Sequence, residues 1–306
     1  MAKVLIATEK PFSKIAIDGI KEIIDAAGYE LVLLEKYTDK QQLLEAVADV
    51  DAMIIRSDKV DAEVIEAAQQ LKLVVRAGAG YDNIDLKAAS ARKVIAMNTP
   101  GQNANSVAEL VFGMLVYAVR NFFNGSSGTE LKGKKLGILA YGNVGRNVAR
   151  IAKGFGMEVM AFDAFCPAEE IEMSGVVAAN CQEELFDQCD IVSLHIPATP
   201  ETIGSINYEM VNRMKKGAIL VNTARKEVID EEGLLKLMEE RDDIKYITDI
   251  KPDAHAVFEE KCCDRYFATP KKMGAQTAEA NVNAGIAAAR QIVGYFQKGI
   301  TKFRVN

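Results

Sequence analysis

Lys135-Leu136-Gly137-Ile138-Leu139-Ala140-Tyr141-Gly142-Asn143-Val144-Gly145-Arg146 is the stretch that decides the fold. An apolar strand runs into a turn reading Ala-x-Gly-x-x-Gly, and a helical segment follows through Asn147–Phe155. The next strand, Glu158-Val159-Met160-Ala161-Phe162, ends in Asp163. A dinucleotide needs these parts in this order. Gly142 lets backbone N–H groups approach a pyrophosphate, and the helix N-terminus at Asn143 and Val144 supplies partial positive charge. Gly145 lets the helix pack closely on the strand, and an acid about 20 residues on accepts from the adenosine ribose. Asp163 is that acid. Its carboxylate repels a 2′-phosphate, so the expected cofactor is NAD and not NADP. Ala140 stands where the pattern has its first glycine.

Outward from this unit, short apolar runs alternate with helical segments along the chain. The strand candidates are Val4–Thr8, Glu30–Leu34, Asp51–Arg56, Leu71–Ala77, Lys135–Ala140, Met157–Phe162, Ile191–His195, Ala218–Asn222 and Lys245–Asp249. Unbroken apolar strands separated by helices belong to parallel sheets covered on both faces. Asn105–Asn121 is apolar almost all round and Thr277–Gln297 is alanine-rich, so both require burial, between domains or in a subunit interface. The expected architecture is α/β, with two Rossmann-like doubly wound parallel-sheet domains and a discontinuous substrate domain. The expected divisions are 1–97, a cofactor domain over 98–275, and 276–306 returning to the first.

Composition excludes other classes. The 306 residues suit two domains, and 49% hydrophobic with 26% charged residues is ordinary for a globular chain. A formal charge of −6 argues against nucleic acid as the main partner. The five cysteines show neither disulfide nor metal-ligand spacing, so reduced thiols and no metal site are expected. Met1–Ala7 enters a strand directly, without the sections of a signal peptide, and no apolar run reaches the roughly 18 residues of a membrane span. A cytoplasmic protein with no membrane partner is expected.

Ligands of open parallel sheets sit beyond the carboxyl ends of the strands. That rule selects His195-Ile196-Pro197, Asn222-Thr223-Ala224-Arg225 and Asp249. Arg225 carries a fork that binds both oxygens of a carboxylate. His195 is either an acid/base or a ring packed beside the cofactor. In the first domain, Arg56-Ser57 and Arg76-Ala77-Gly78-Ala79-Gly80 end two strands. The arginines offer local positive charge, and the small residues offer a nest of amides for an anion.

These residues together resemble the D-isomer-specific 2-hydroxyacid dehydrogenases, most closely the phosphoglycerate dehydrogenase group of serine biosynthesis. The resemblance runs through Val75–Asp85, Asn98-Thr99-Pro100-Gly101, Glu130–Lys134, Val221–Arg225 and Gly274-Ala275-Gln276-Thr277. It implies NAD-dependent oxidation of D-3-phosphoglycerate to 3-phosphohydroxypyruvate, a homodimer built around the helix after Pro100, and Arg225 as the substrate-binding arginine. It places His195 near the cofactor, outside the proton relay. Thr223, Ala224 and Asp249 join Gly142–Gly145, Asp163, His195 and Pro197 as cofactor residues. Arg56, Ser57, Arg76 and Ala77–Gly80 join Arg225 in holding a phosphorylated 2-hydroxy acid. The extra regulatory domain of longer relatives is expected to be absent.

Two departures stand out. The family's catalytic histidine falls within Thr269-Pro270-Lys271-Lys272-Met273-Gly274. Counting back from Gly274 points to Lys272, and counting forward from Pro270 points to Lys271; the gap-free downstream match favours Lys272. The family's glutamate has no clean counterpart, leaving Asp253 as its stand-in. The two losses read as linked. A carboxylate beside histidine raises a pKa toward the working range, whereas beside a lysine near 10.4 it pushes the pKa further away. The expectation is that Lys272 replaces histidine as acid/base, with an alkaline optimum for oxidation. Two rival readings are a glyoxylate or hydroxypyruvate reductase and a catalytically silent NAD-sensing interaction protein.

Overall fold

The computed structural model describes residues 1–306 and divides into two compact units, Met1–Asn103 with Gln276–Asn306, and Ala104–Ala275. The first junction falls after Asn103, later than position 97. Backbone bonding explains the difference. Asn98 N–H donates to Phe303 O at 3.3 Å and Thr99 N–H to Gly78 O at 2.9 Å, which keeps these residues in the first unit.

The first unit holds a five-stranded parallel sheet. Its strands are β1 (Lys3–Thr8), β2 (Glu30–Glu35), β3 (Ala52–Ile55), β4 (Leu73–Arg76) and β5 (Ile95–Asn98), in the order β2-β1-β3-β4-β5. Alternation along the strands builds two cores. Leu5, Ala7, Met53 and Ile55 face one, while Val4, Ile6, Ala52 and Ile54 face the other. The second core is covered by helices Lys14–Ala26 and Ala278–Lys298. The small residues of the latter permit close approach: a Cβ at Gly285 would lie 2.9 Å from Ile20 Cδ1. Ser13 and Thr277 cap these two helices through their side-chain oxygens.

The second unit holds a seven-stranded parallel sheet. Its strands are β6 (Lys135–Leu139), β7 (Glu158–Phe162), β8 (Val177–Ala178), β9 (Ile191–Leu194), β10 (Ile219–Asn222), β11 (Lys245–Thr248) and β12 (Tyr266–Ala268). The order is β12-β11-β10-β9-β6-β7-β8. Strand order reverses between β6 and β9, which opens a crevice at their carboxyl ends. The apolar helix Ala104–Val119 packs inside its own unit, against helix Asn143–Gly154 and β11. Much of its hydrophobic surface is buried within that unit. Strands β8 and β12 escape the sequence pattern because they span only two and three residues, and β5 (Ile95–Asn98) is not among the sequence candidates either. No helix is long and apolar enough to cross a membrane.

Candidate active site

The turn after β6 is built for an anion. Gly142 caps helix Asn143–Gly154 without any side-chain hydrogen bond, so the first-turn amides meet no protein acceptor. A Cβ at Gly142 would have no atom within 4 Å, so the space in front of these amides is open. Gly145 is the opposite case. Its Cβ would fall 2.3 Å from Ala140 O and 3.0 Å from Ile138 Cγ2, so only glycine allows this helix to seat on this strand. Ala140 adopts φ of 78°, a left-handed conformation that explains why a glycine suits the position. Ala140→Gly is accordingly expected to raise stability by ~0.5–1 kcal/mol in urea titration, with no loss of cofactor binding.

Asp163 closes the turn from β7. Its Oδ2 accepts from Tyr141 N–H at 2.7 Å, and its Oδ1 accepts from Phe165 and Cys166 N–H at 2.7 and 2.9 Å. The carboxylate therefore positions the glycine turn. Across the reversal point His195 N–H donates to Leu139 O at 2.9 Å, and its Nε2 pairs with Ser193 Oγ at 3.0 Å. Burial pushes the imidazole pKa down to about 3, so the ring is neutral at physiological pH. The unfolded chain takes up this proton near pH 6.5 and the folded chain does not, so stability contributed here is lost as pH falls from 6.5 toward 3. A pH titration followed by NMR is expected to find no His195 protonation between pH 5 and 9. A midpoint near 6.5 would overturn this account. Pro197, beyond the ring, is exposed.

The ends of β10, β11 and β12 bring the other residues together. Asp249 is fully buried; its Oδ2 accepts from Gly274 N–H at 2.7 Å, and its Oδ1 has no partner. Burial raises its pKa, opposed by the Gly274 amide, Lys272, the Met273 amide and Arg225. Thr223 is buried with its Oγ1 also unpartnered. Thr269 Oγ1 bonds both Asp249 O at 2.9 Å and Lys271 O at 2.7 Å, folding the segment after β12 back over these strand ends. In consequence Lys272 Nζ donates to Ala224 O at 2.9 Å, and Arg225 Nη1 donates to the same oxygen at 2.9 Å. Two cations converge on one carbonyl. Lys271 is exposed and contributes its backbone carbonyl to the segment.

In the first unit, Arg56 and Arg76 end neighbouring strands, and Arg76 Nε donates to Arg56 O at 3.0 Å. The Arg56 guanidinium donates to Lys10 O at 2.9 Å, Pro11 O at 3.1 Å and Asn281 Oδ1 at 2.7 Å, all neutral acceptors. Ser57 is exposed beside it. The expected nest is smaller than the sequence implied. Ala77 N–H goes to Ile55 O and Gly78 N–H to Arg76 O, leaving the amides of Ala79 and Gly80 without a protein acceptor.

Residues 93–265 match the D-isomer specific 2-hydroxyacid dehydrogenase family over its NAD binding domain. The chain belongs to this family. It is 38% identical over 275 residues to the D-3-phosphoglycerate dehydrogenase of Methanocaldococcus jannaschii, covering 83% of the chain and 51% of that relative. It thus spans about half the length of that protein. It is 34% identical to the hydroxypyruvate reductase of Thermotoga maritima, covering 86% of the chain and 90% of the relative. Among solved structures, the NAD+-bound 3-phosphoglycerate dehydrogenase of Entamoeba histolytica aligns with a TM-score of 0.87 at 48% identity, covering 100% of this chain and 98% of that one.

The second unit fits NAD by its own geometry. The uncapped amides, the open space before Gly142, and the orphan oxygens of Thr223 and Asp249 all lie on the carboxyl edge of one sheet. Asp253 needs correction. Its side chain is 82% exposed and takes Lys226 Nζ at 2.5 Å, because the turn carrying it is pinned by Glu231, which accepts from the Asp253 and Ala254 amides. That pairing removes the basis for Asp253 as the acidic partner of Lys272. Sequence reading also missed Asp58 and Asn281, which fix Arg56 in place. Neither had a signal beyond an acid two residues after a strand-end arginine.

Proposed function

We propose that the chain oxidises D-3-phosphoglycerate to 3-phosphohydroxypyruvate reversibly, in the first step of serine biosynthesis. The observation that carries this reading is the convergence of Arg225 and Lys272 on the Ala224 carbonyl, at the sheet edge suited to NAD. NAD+, when bound, supplies the acceptor for the hydride leaving C2. Gly142, Asn143, Val144, Gly145 and Asp163 hold its pyrophosphate and ribose, with His195, Pro197, Thr223, Ala224 and Asp249 along the rest. Arg225 binds the substrate carboxylate through its fork. Lys272 Nζ, as the neutral amine, takes the C2 hydroxyl proton during oxidation, and the resulting ammonium returns it during reduction. The Ala79 and Gly80 amides also bind the carboxylate, and Arg56, Ser57 and Arg76 receive the phosphate. The hydrogen-bond acceptors of the Arg56 guanidinium are all neutral, so no carboxylate occupies its fork, which supports the phosphorylated substrate.

The hydroxypyruvate reductase of Thermotoga maritima, matched over nearly its whole length, favours a second reading in which the phosphate is irrelevant. Turnover of 3-phosphohydroxypyruvate compared with hydroxypyruvate, glyoxylate and pyruvate separates the two. The phosphorylated acid is expected to lead by at least 10-fold in kcat/KM, about 1.4 kcal/mol. NADH binding without any substrate-dependent oxidation would sink both in favour of a silent NAD sensor. We also propose a homodimer, for which the exposed Phe123 and Phe155 beside helix Ala104–Val119 offer apolar surface. Sedimentation equilibrium tests it.

A further inference from the structure

We propose that Asp58 is the positioning residue of the phosphate-binding arginine, Arg56, and through it sets the preference for a phosphorylated over an unphosphorylated 2-hydroxy acid; this rests on the substrate reading above. Asp58 is only 3% exposed. Its Oδ1 accepts from Glu9 N–H at 2.7 Å and from the Tyr37 hydroxyl at 3.0 Å, and its Oδ2 accepts from Arg56 N–H at 3.2 Å. Glu9 follows β1, Tyr37 lies just beyond β2, and Arg56 follows β3. These are neighbouring strands in the order β2-β1-β3, so one buried carboxylate ties three carboxyl ends together where the strand order reverses.

The rest of the loop is held as closely. Asn83 Nδ2 donates to Arg56 O at 3.2 Å and to Asp58 O at 2.6 Å. The guanidinium lies over the Phe12 ring, 5.2 Å from its centroid, and its acceptors are backbone carbonyls and the Asn281 amide. Burial disfavours the charge on Arg56, and Asp58 is the charge that favours it. A fork fixed on one side by neutral acceptors and anchored at its own backbone by a buried acid is preorganised for an incoming anion.

Asp58→Asn separates this role from others. The amide oxygen can keep Glu9 N–H and the Tyr37 hydroxyl, while the amide nitrogen then faces Arg56 N–H, donor against donor. Positioning predicts that KM for D-3-phosphoglycerate rises about 10-fold, and at least five-fold more than KM for unphosphorylated D-glycerate. A purely electrostatic role has the opposite sign, because removing a negative charge near an anion site tightens the phosphate. Tyr37→Phe removes a partner of the same carboxylate without touching Arg56. It is expected to lower the melting temperature and leave the ratio of the two KM values within two-fold. Asn83→Ser, which releases the Arg56 and Asp58 carbonyls, is expected to move the ratio in the same direction as Asp58→Asn and gives a second reading if that variant does not accumulate.

Arg56→Ala is the reference arm. If it leaves the preference for the phosphorylated acid intact, the substrate reading itself fails. If it erases the preference while Asp58→Asn leaves the ratio unchanged or improves phosphate binding, the positioning role is overturned and the substrate reading stands. A ratio moved equally by Tyr37→Phe reduces Asp58 to a general fold stabiliser and also overturns the inference.

Discussion

Replacing Lys272 with alanine is expected to reduce turnover by roughly 10²–10⁴-fold while NADH still binds. The size follows from what the side chain would supply at the C2 oxygen: the neutral amine accepts the proton in oxidation and the ammonium donates it in reduction. Lys272 Nζ shares the Ala224 carbonyl with Arg225, so the proposed proton carrier and carboxylate clamp are fixed to one atom. Lys272→Met, which keeps the apolar stem, should lose as much as alanine, showing that charge and not packing is responsible. Lys271→Ala should lie within about three-fold of the parent, since an exposed side chain away from the chemistry contributes little. Fluorescence titration of NADH in each variant separates chemistry from cofactor loss. Full activity of Lys272→Ala would end its assignment as acid/base.

Gly145→Ala is expected to weaken NAD by roughly 10²-fold or more and to destabilise the second unit by ~1–3 kcal/mol. The added Cβ would meet Ala140 O at 2.3 Å, and that oxygen belongs to backbone, so the helix must move instead of a rotamer. Any shift at Gly145 carries the Asn143 and Val144 amides away from the pyrophosphate position, and each charge-assisted bond lost costs about 1.5–3 kcal/mol. Gly154→Ala in the same helix is the control. Its Cβ would meet nothing within 4 Å, so helix propensity alone predicts a gain of up to ~1 kcal/mol. Calorimetry with NAD and urea titration read the two effects. Unchanged affinity in Gly145→Ala would mean that these amides do not hold the cofactor.

The nucleotide turn was legible because every requirement on it is local. Gly142, Gly145 and Asp163 lie within one βαβ unit, and chain order alone carries their spatial relation. The strand-end residues Arg56, Arg76, Arg225 and Asp249 were legible for a related reason: parallel strands place all their carboxyl ends on one edge. The nest was overestimated because composition says nothing of where an amide is already bonded, and Ile55 and Arg76 carbonyls had taken two of the four. Asp253 was misjudged likewise, since Lys226 and Glu231 are distant in sequence from the residue they restrain.

What the sequence determined unaided is the repeating strand–helix order, the two units and the cofactor turn, all set by short-range periodicity and by glycine's freedom at fixed offsets. The tertiary structure alone decided which acid anchors Arg56, that Lys272 and Arg225 share one carbonyl, and that the apolar helix Ala104–Val119 packs within its own unit. Those outcomes depend on hydrogen bonds and packing between segments far apart in the chain. Such contacts form only after the sheets assemble, and no local pattern encodes them.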